Sequence, residues 1–186
     1  MTNFPFVTGA DHRDVEAVNY HAAALLAGRD EEPLLAGLAR MSRDNARTPV
    51  QWDDSANAGF TSGTPWLAVN PNHAWLNAAA QADDPTSVLA HYRRLIRLRH
   101  ELDVLADGDC LPLLEDDPQL WAYTRATPTD ELLVVANCGR EPREVDVPQW
   151  YGATLVLGNL PGTALTYDGA VTLAGWDARI YRRTSG

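Results

Sequence analysis

The chain has 186 residues, 45% of them hydrophobic, and a formal net charge of −10. That apolar content suffices for a packed core, while the acidity argues against nucleic acid, which selects a basic footprint, and against anionic membrane surfaces. No apolar run approaches the roughly 20 residues of a membrane helix, and the opening Met1-Thr2-Asn3-Phe4-Pro5-Phe6 has neither the basic nor the apolar region of a signal peptide. The balance fits a cytoplasmic protein acting on a neutral ligand. Cys110 and Cys138 lack CxxC spacing and read as isolated core thiols of a reducing compartment.

In chain order, Thr8-Gly9-Ala10-Asp11 has the Thr-x-x-Asp pattern of a helix start. Val15, Val18, Ala22, Leu25 and Leu26 recur at helical spacing up to Gly28, a stop signal. A second short helix is expected from Pro33, with Leu34, Leu35, Leu38 and Met41 as its apolar face. Residues 55–82 carry no sustained period and read as a long ordered loop, a feature that usually builds a site. Asp84 and Pro85 suit the cap and first residue of the strongest helix, 85–102. Val88, Leu89, Tyr92, Leu95, Ile96 and Leu102 lie on one side of it, with a basic fringe of arginines. From about Asp109 the period changes to two. Seven strands are expected: Cys110–Leu114, Leu120–Arg125, Leu132–Asn137, Glu144–Val147, Thr154–Leu157, Val171–Ala174 and Arg179–Arg182. The fold class is therefore α+β, with a helix-and-loop segment at 1–104 and an antiparallel β-sandwich or meander at 105–186.

The densest chemistry lies at Ser42-Arg43-Asp44-Asn45-Ala46-Arg47-Thr48-Pro49-Val50-Gln51-Trp52-Asp53-Asp54. If this segment is helical, Arg43 and Arg47 share a face and need carboxylates or a polar ligand to offset their repulsion. A structural arrangement pairs Arg43 with Asp44 or Asp14 and uses Arg47 to cap a helix end. A functional one has an arginine grip a catalytic carboxylate. Asp53 and Asp54 are neighbours that point apart in an extended loop, so they read as solvated loop carboxylates rather than the converging pair that retaining glycoside hydrolysis needs. The five histidines are scattered without metal-ligand spacing, and no metal site is expected. No phosphate loop, nucleophile elbow or Cys-His arrangement is visible, and no cofactor is implied.

The same stretch, followed by Ala58-Gly59-Phe60-Thr61, Pro65-Trp66-Leu67 and Val69-Asn70-Pro71-Asn72, resembles the α-amylase superfamily, glycoside hydrolase family thirteen, and within it the α-glucosidases typified by oligo-1,6-glucosidase, with trehalose-6-phosphate hydrolase among close relatives. Met1-Thr2-Asn3 and Arg13–Asn19 are similar to the family segment after the eighth barrel strand. Asp84–Glu101 is similar to its last barrel helix. Leu120–Arg125, Leu132–Asn137 and Gly175–Tyr181 are similar to its C-terminal β domain. The resemblance implies the last helical and loop segment of a truncated (β/α)8 barrel (1–104), then a C-terminal domain (105–186). The family's aspartate nucleophile, glutamate acid/base and third aspartate lie on earlier strands and are absent, so no catalytic residue is assigned here. The implied parent is a retaining α-glucosidase of small α-linked glucose oligosaccharides, and the chain by itself is expected to be inactive. Carried over residue by residue, Arg47 and then Arg43 are candidate substrate-binding residues, with Trp52 and Phe60 as possible site wall. In isolation the chain is expected to self-associate through the uncovered face of helix 85–102. The alternative is a stand-alone carbohydrate-binding or interaction β-sandwich module.

Overall fold

The computed structural model describes residues 2–184, so Met1, Ser185 and Gly186 of the segments named above lie outside the described residues. Two compact units divide the chain, one running to Ala90 and the other beginning at His91.

In the first unit, helix α1 spans Val15–Leu26. It begins four residues later than Thr8–Asp11 suggests. The Asp11 carboxylate accepts hydrogen bonds from the Thr8 and Val7 N–H groups, 2.7 and 3.1 Å, which holds its pKa below the ordinary value. Those bonds close a single 3-10 turn, Gly9–Asp11, and Asp14 is the true cap, accepting from Ala17 N at 3.3 Å. Gly28 ends the helix in the left-handed region at φ 71°, while Arg29 N closes back on Ala24 O at 3.0 Å. Helix α2, Glu31–Met41, starts two residues before Pro33. Proline is tolerated there because N–H groups of a first turn have no partner inside the helix. A 3-10 turn, Arg43–Ala46, follows directly.

Residues 55–82 are less irregular than their sequence suggests. They hold 3-10 turns at Ala56–Gly59 and Pro71–Ala74 and a short helix α3, Ala78–Ala82. Ala78 N and Ala79 N donate to the carbonyls of Gln51 and Trp52, each at 2.9 Å, and Asn77 caps Ala80 N at 2.8 Å. The side chain of Asn70 reaches back 67 residues to the Asn3 carbonyl at 3.1 Å. Long-range hydrogen bonds of this kind fix a segment that lacks apolar periodicity.

Helix α4 is Val88–Glu101, most of it in the second unit, three residues inside the expected start. The Asp84 carboxylate is occupied by Thr86 N at 2.8 Å, so Ser87 Oγ caps Ala90 N at 3.1 Å instead. Val88, Tyr92 and Ile96 form a stripe on this helix that is 70%, 62% and 55% exposed. The helix carries His91, which is half-buried, with its pKa lowered by that burial and then by Arg94.

In the second unit a short helix α5, Asp103–Asp107, leads into seven strands: β1 Asp109–Leu113, β2 Leu120–Ala126, β3 Asp130–Asn137, β4 Arg143–Asp146, β5 Thr154–Gly158, β6 Ala170–Leu173 and β7 Ala178–Thr184. Every expected strand is present, shifted by at most two residues. They form a five-stranded antiparallel sheet in the order β1-β2-β3-β7-β5 and a two-stranded one, β4-β6. Leu133, Val135 and Tyr181 of the large sheet share one core with Val145 and Leu173 of the small one. The buried Tyr167 hydroxyl joins the structure by donating to Val145 O at 3.0 Å and accepting from Val147 N at 2.8 Å. Leu132 and Leu133 are both fully buried, so β3 is covered on both faces, and α5 packs on β3 and β2 through the buried Val104. Both cysteines are unpaired, but they are exposed and are not the core thiols their sequence context suggests. Cys110 sits on the edge strand β1.

Candidate functional site

The site lies in the first unit, where the approach to α1 meets the turn after α2. Asp44 is completely buried. Its Oδ2 accepts hydrogen bonds from Arg13 N at 2.7 Å and Asp14 N at 2.9 Å, at the end of α1 where the helix dipole favours negative charge. Arg47 Nη1 lies 3.2 Å from Asp14 Oδ1 and 3.7 Å from Asp44 Oδ1. The first is a hydrogen-bonded ion pair; the second is longer than a hydrogen bond and purely electrostatic. The His12 ring stacks on Phe6, centroids 4.4 Å apart, and its Nδ1 is 3.7 Å from Asp44 Oδ2. Asp14 therefore has two tasks, capping α1 with one carboxylate oxygen and holding Arg47 with the other.

The two arginines do not share a face. The segment is a 3-10 turn at Arg43–Ala46, in which residues three apart eclipse, so positions 43 and 47 diverge. Arg43 swings to α1 and pairs with Glu16 at 2.6 Å, both side chains mostly exposed. The sequence-based pairing is thus corrected: Glu16, not Asp14 or Asp44, holds Arg43, and Arg47 serves the two buried acids rather than a helix end.

A cleft of about 320 Å³ opens here, lined by Asp14, Glu16, Tyr20, Met41, Ser42 and Arg43 among others. A second hollow, about 370 Å³, borders on the same Tyr20, Leu38 and Met41 and runs to Arg29. Arg29 Nη1 donates to Tyr20 OH at 3.0 Å. The cleft offers a guanidinium and carboxylates at its mouth and apolar side chains along its side, an arrangement suited to a small neutral polyol. Arg43 lines it, whereas Arg47, Trp52 and Phe60 are not among its lining residues. Sequence reasoning missed Glu16 and Tyr20, although both lie on α1 and are four residues, about one turn, apart.

Trp52 and Phe60 share one tight loop. Trp52 N donates to Ala58 O at 2.9 Å. Asn57, Ala58 and Gly59 are successively left-handed, φ 53°, 56° and 65°. Two non-glycine residues in that region are costly, and the Asn57 side chain offsets this by donating to Thr61 O and Gly63 O at 3.1 and 3.0 Å. A Cβ at position 59 would lie 2.8 Å from the Asp53 carboxylate, so at this left-handed φ any other residue would push that side chain aside. The rings themselves are 55% and 48% exposed. The Asp53 carboxylate accepts from the Ser55 hydroxyl and N–H, bonds that lower its pKa. It serves loop geometry, in keeping with its sequence context. Among the described residues no three His, Cys, Asp or Glu side chains cluster as metal ligands, and no helix is long and apolar enough to cross a membrane.

The α-amylase catalytic-domain family model matches residues 12–108. An oligo-1,6-glucosidase of Parageobacillus thermoglucosidasius is 37% identical over 98% of this chain and 33% of its own length. A trehalose-6-phosphate hydrolase of Escherichia coli K12 is 45% identical over 76% of this chain and 26% of its own. Among solved structures, the trehalose-6-phosphate hydrolase of Bacillus licheniformis superposes with a TM-score of 0.92 at 35% identity, over 100% of this chain and 34% of that one. The trehalulose synthase of Pseudomonas mesoacidophila does so with a TM-score of 0.90 at 40% identity, over 98% and 33%. The chain spans about a third of the length of the relatives it matches.

Proposed function

Since this chain belongs to the α-amylase family of glycoside hydrolases, family thirteen, we propose that it is the C-terminal portion of a retaining α-glucosidase, contributing a glucose-binding wall to a site whose catalytic carboxylates lie elsewhere in a family-length polypeptide. The substrate is a short α-linked glucose oligosaccharide, as the name of the oligo-1,6-glucosidase relative suggests. Residues 1–104 then correspond to the end of a (β/α)8 barrel and 105–186 to a C-terminal β-sandwich, a reading supported by the single core shared by its two sheets. Unpaired cysteines and net acidity fit a cytoplasmic setting.

The observation that carries this reading is the Arg43–Glu16 pair at the mouth of the cleft. An exposed ion pair contributes little to stability, yet a guanidinium and a carboxylate side by side offer both a donor fork and an acceptor to sugar hydroxyls. Of the two arginines proposed for substrate binding, Arg43 reaches the ligand directly, and Arg47 supports it from behind by fixing Asp14. Trp52 and Phe60 belong to an outer wall. Arg43→Ala is expected to weaken binding of maltose to the chain about tenfold, the loss of one charged hydrogen-bonding group, with thermal unfolding unchanged. Calorimetric titration checks this, and equal affinities would sink the assignment.

A second proposal concerns association. The stripe Val88, Tyr92 and Ile96 on α4 is apolar and open, and in isolation it pairs copies of the chain. Sedimentation equilibrium should give a dimer or larger species; a monomer at high concentration counts against it. The alternative module reading draws on the exposed aromatic face of the β unit.

A further inference from the structure

We propose that the β unit carries a saccharide site of its own, a trough along β1 and β2 in which a pyranose ring stacks on the Trp121 indole. Strand pairing sets Pro112 beside Tyr123 and Cys110 beside Arg125. Alternation along β2 then puts Trp121, Tyr123 and Arg125 on that same face, opposite the core-facing Ala122. Same-face neighbours on one strand stand about 7 Å apart. The trough encloses about 670 Å³, within the range typical of small-ligand sites.

Three features favour a sugar over another occupant. Trp121 is 67% exposed, so its flat apolar face is already presented to the C–H face of a pyranose. The turn after β1 places Glu115 and Asp117 among the residues lining the trough, and carboxylates accept hydroxyl protons. An apolar protein surface would have to strip water from these same carboxylates without replacing it, and an anionic ligand would be repelled. Finally, the polar groups are fixed in advance. Asp117 Oδ1 accepts from Gln119 N at 2.8 Å and Leu120 N at 3.2 Å, leaving Oδ2 for a ligand. Arg125 is held by Val104 O and Ala106 O at 3.3 and 3.1 Å. Preset groups lower the ordering cost of binding. The α-linked glucose class of the ligand rests on the proposed function; the stacking platform does not.

The test is a titration of the full chain with maltotriose, and in parallel with cellobiose, followed on the indole N–H signals of its six tryptophans, with Trp121 assigned from the W121F spectrum. The Trp121 signal should shift saturably with maltotriose. Followed on the backbone amide signals of β1 and β2, Trp121→Ala should weaken that binding about tenfold through loss of the stacked face and Glu115→Gln should weaken it to a lesser degree, while in Arg43→Ala the Trp121 signal should titrate as in the parent chain. Absence of a saturable Trp121 shift with either sugar overturns the site, as does unaltered affinity in both Trp121→Ala and Glu115→Gln. A response to cellobiose alone supports the platform while overturning the α-linked class. If Trp121→Ala changes only the association state of the chain, the face is a contact between copies and the proposal fails.

Discussion

Asp44→Ala is expected to destabilise the first unit by about 3–5 kcal/mol, the usual cost of removing one partner from a buried charged pair. Asp44 is fully buried and accepts the Arg13 and Asp14 N–H groups. Without it these two donors lose their partner inside the protein, a penalty of about 1–3 kcal/mol each where water cannot reach. Arg47 keeps Asp14 at 3.2 Å, so part of its charge remains compensated. Asp44→Asn retains an acceptor of the same shape and is expected to cost less than half as much. Urea unfolding of the three proteins checks this, and an alanine variant within 1 kcal/mol of the parent would mean that the carboxylate is not the anchor of α1. The consequence for function is indirect. Once α1 loses its anchor, Glu16 and Tyr20 on that helix lose their register with Arg43, so the cleft should lose its ligand at temperatures where the β unit is still folded.

Trp150→Ala should destabilise the β unit by about 3–5 kcal/mol, the range for aromatic truncation in a core. Trp150 is 1% exposed in the 3-10 turn Pro148–Trp150, packed in the core that holds Tyr167 and Tyr181. The Arg183 guanidinium lies over its ring at 4.4 Å, and Arg183 also pairs with Glu131 and donates to Gln149 O. The indole therefore fills the core while the exposed Arg183 guanidinium covers its ring. Trp150→Phe keeps most of the apolar area and should recover at least half of the loss. An alanine variant as stable as the parent would show that the core reseals around the missing ring.

The β unit was largely legible in the sequence because its strands have two different neighbours. One face of the large sheet meets the core and the other meets α5 or solvent, so the period of two survives in the residue order. What the pattern hides is that β3 is covered on both faces: Leu132 and Leu133 are adjacent and both buried. Asp11, Pro33 and Asp84 all carry start chemistry, yet each helix begins elsewhere; α2 starts two residues before Pro33 with no side-chain cap from Asp30. Asp14 and Ser87 cap where Asp11 and Asp84 close local turns. Helices α3 and α5, five residues each, are too short to show a period. Tertiary partners define them, the Gln51 and Trp52 carbonyls for one and the sheet under Val104 for the other.

The chemistry of the site was visible as a cluster of residue types, but its geometry was not. An i, i+4 spacing joins two arginines only on an α-helix, and a 3-10 turn sends Arg43 and Arg47 to different acids. The partner of Arg43, Glu16, lies 27 residues upstream, beyond the reach of any local pattern.

The central claim is that these 186 residues hold a wall for glucose and not the carboxylate pair that cleaves its bond. The most direct measurement is hydrolysis of nitrophenyl α-glucoside by the purified chain, followed against a mock purification and alongside maltose binding. Saturable maltose binding in the cleft beside α1, weakened by Arg43→Ala, is expected with no release of nitrophenol above the mock. Release of nitrophenol above the mock, lost on mutation of a residue in this chain, would contradict it.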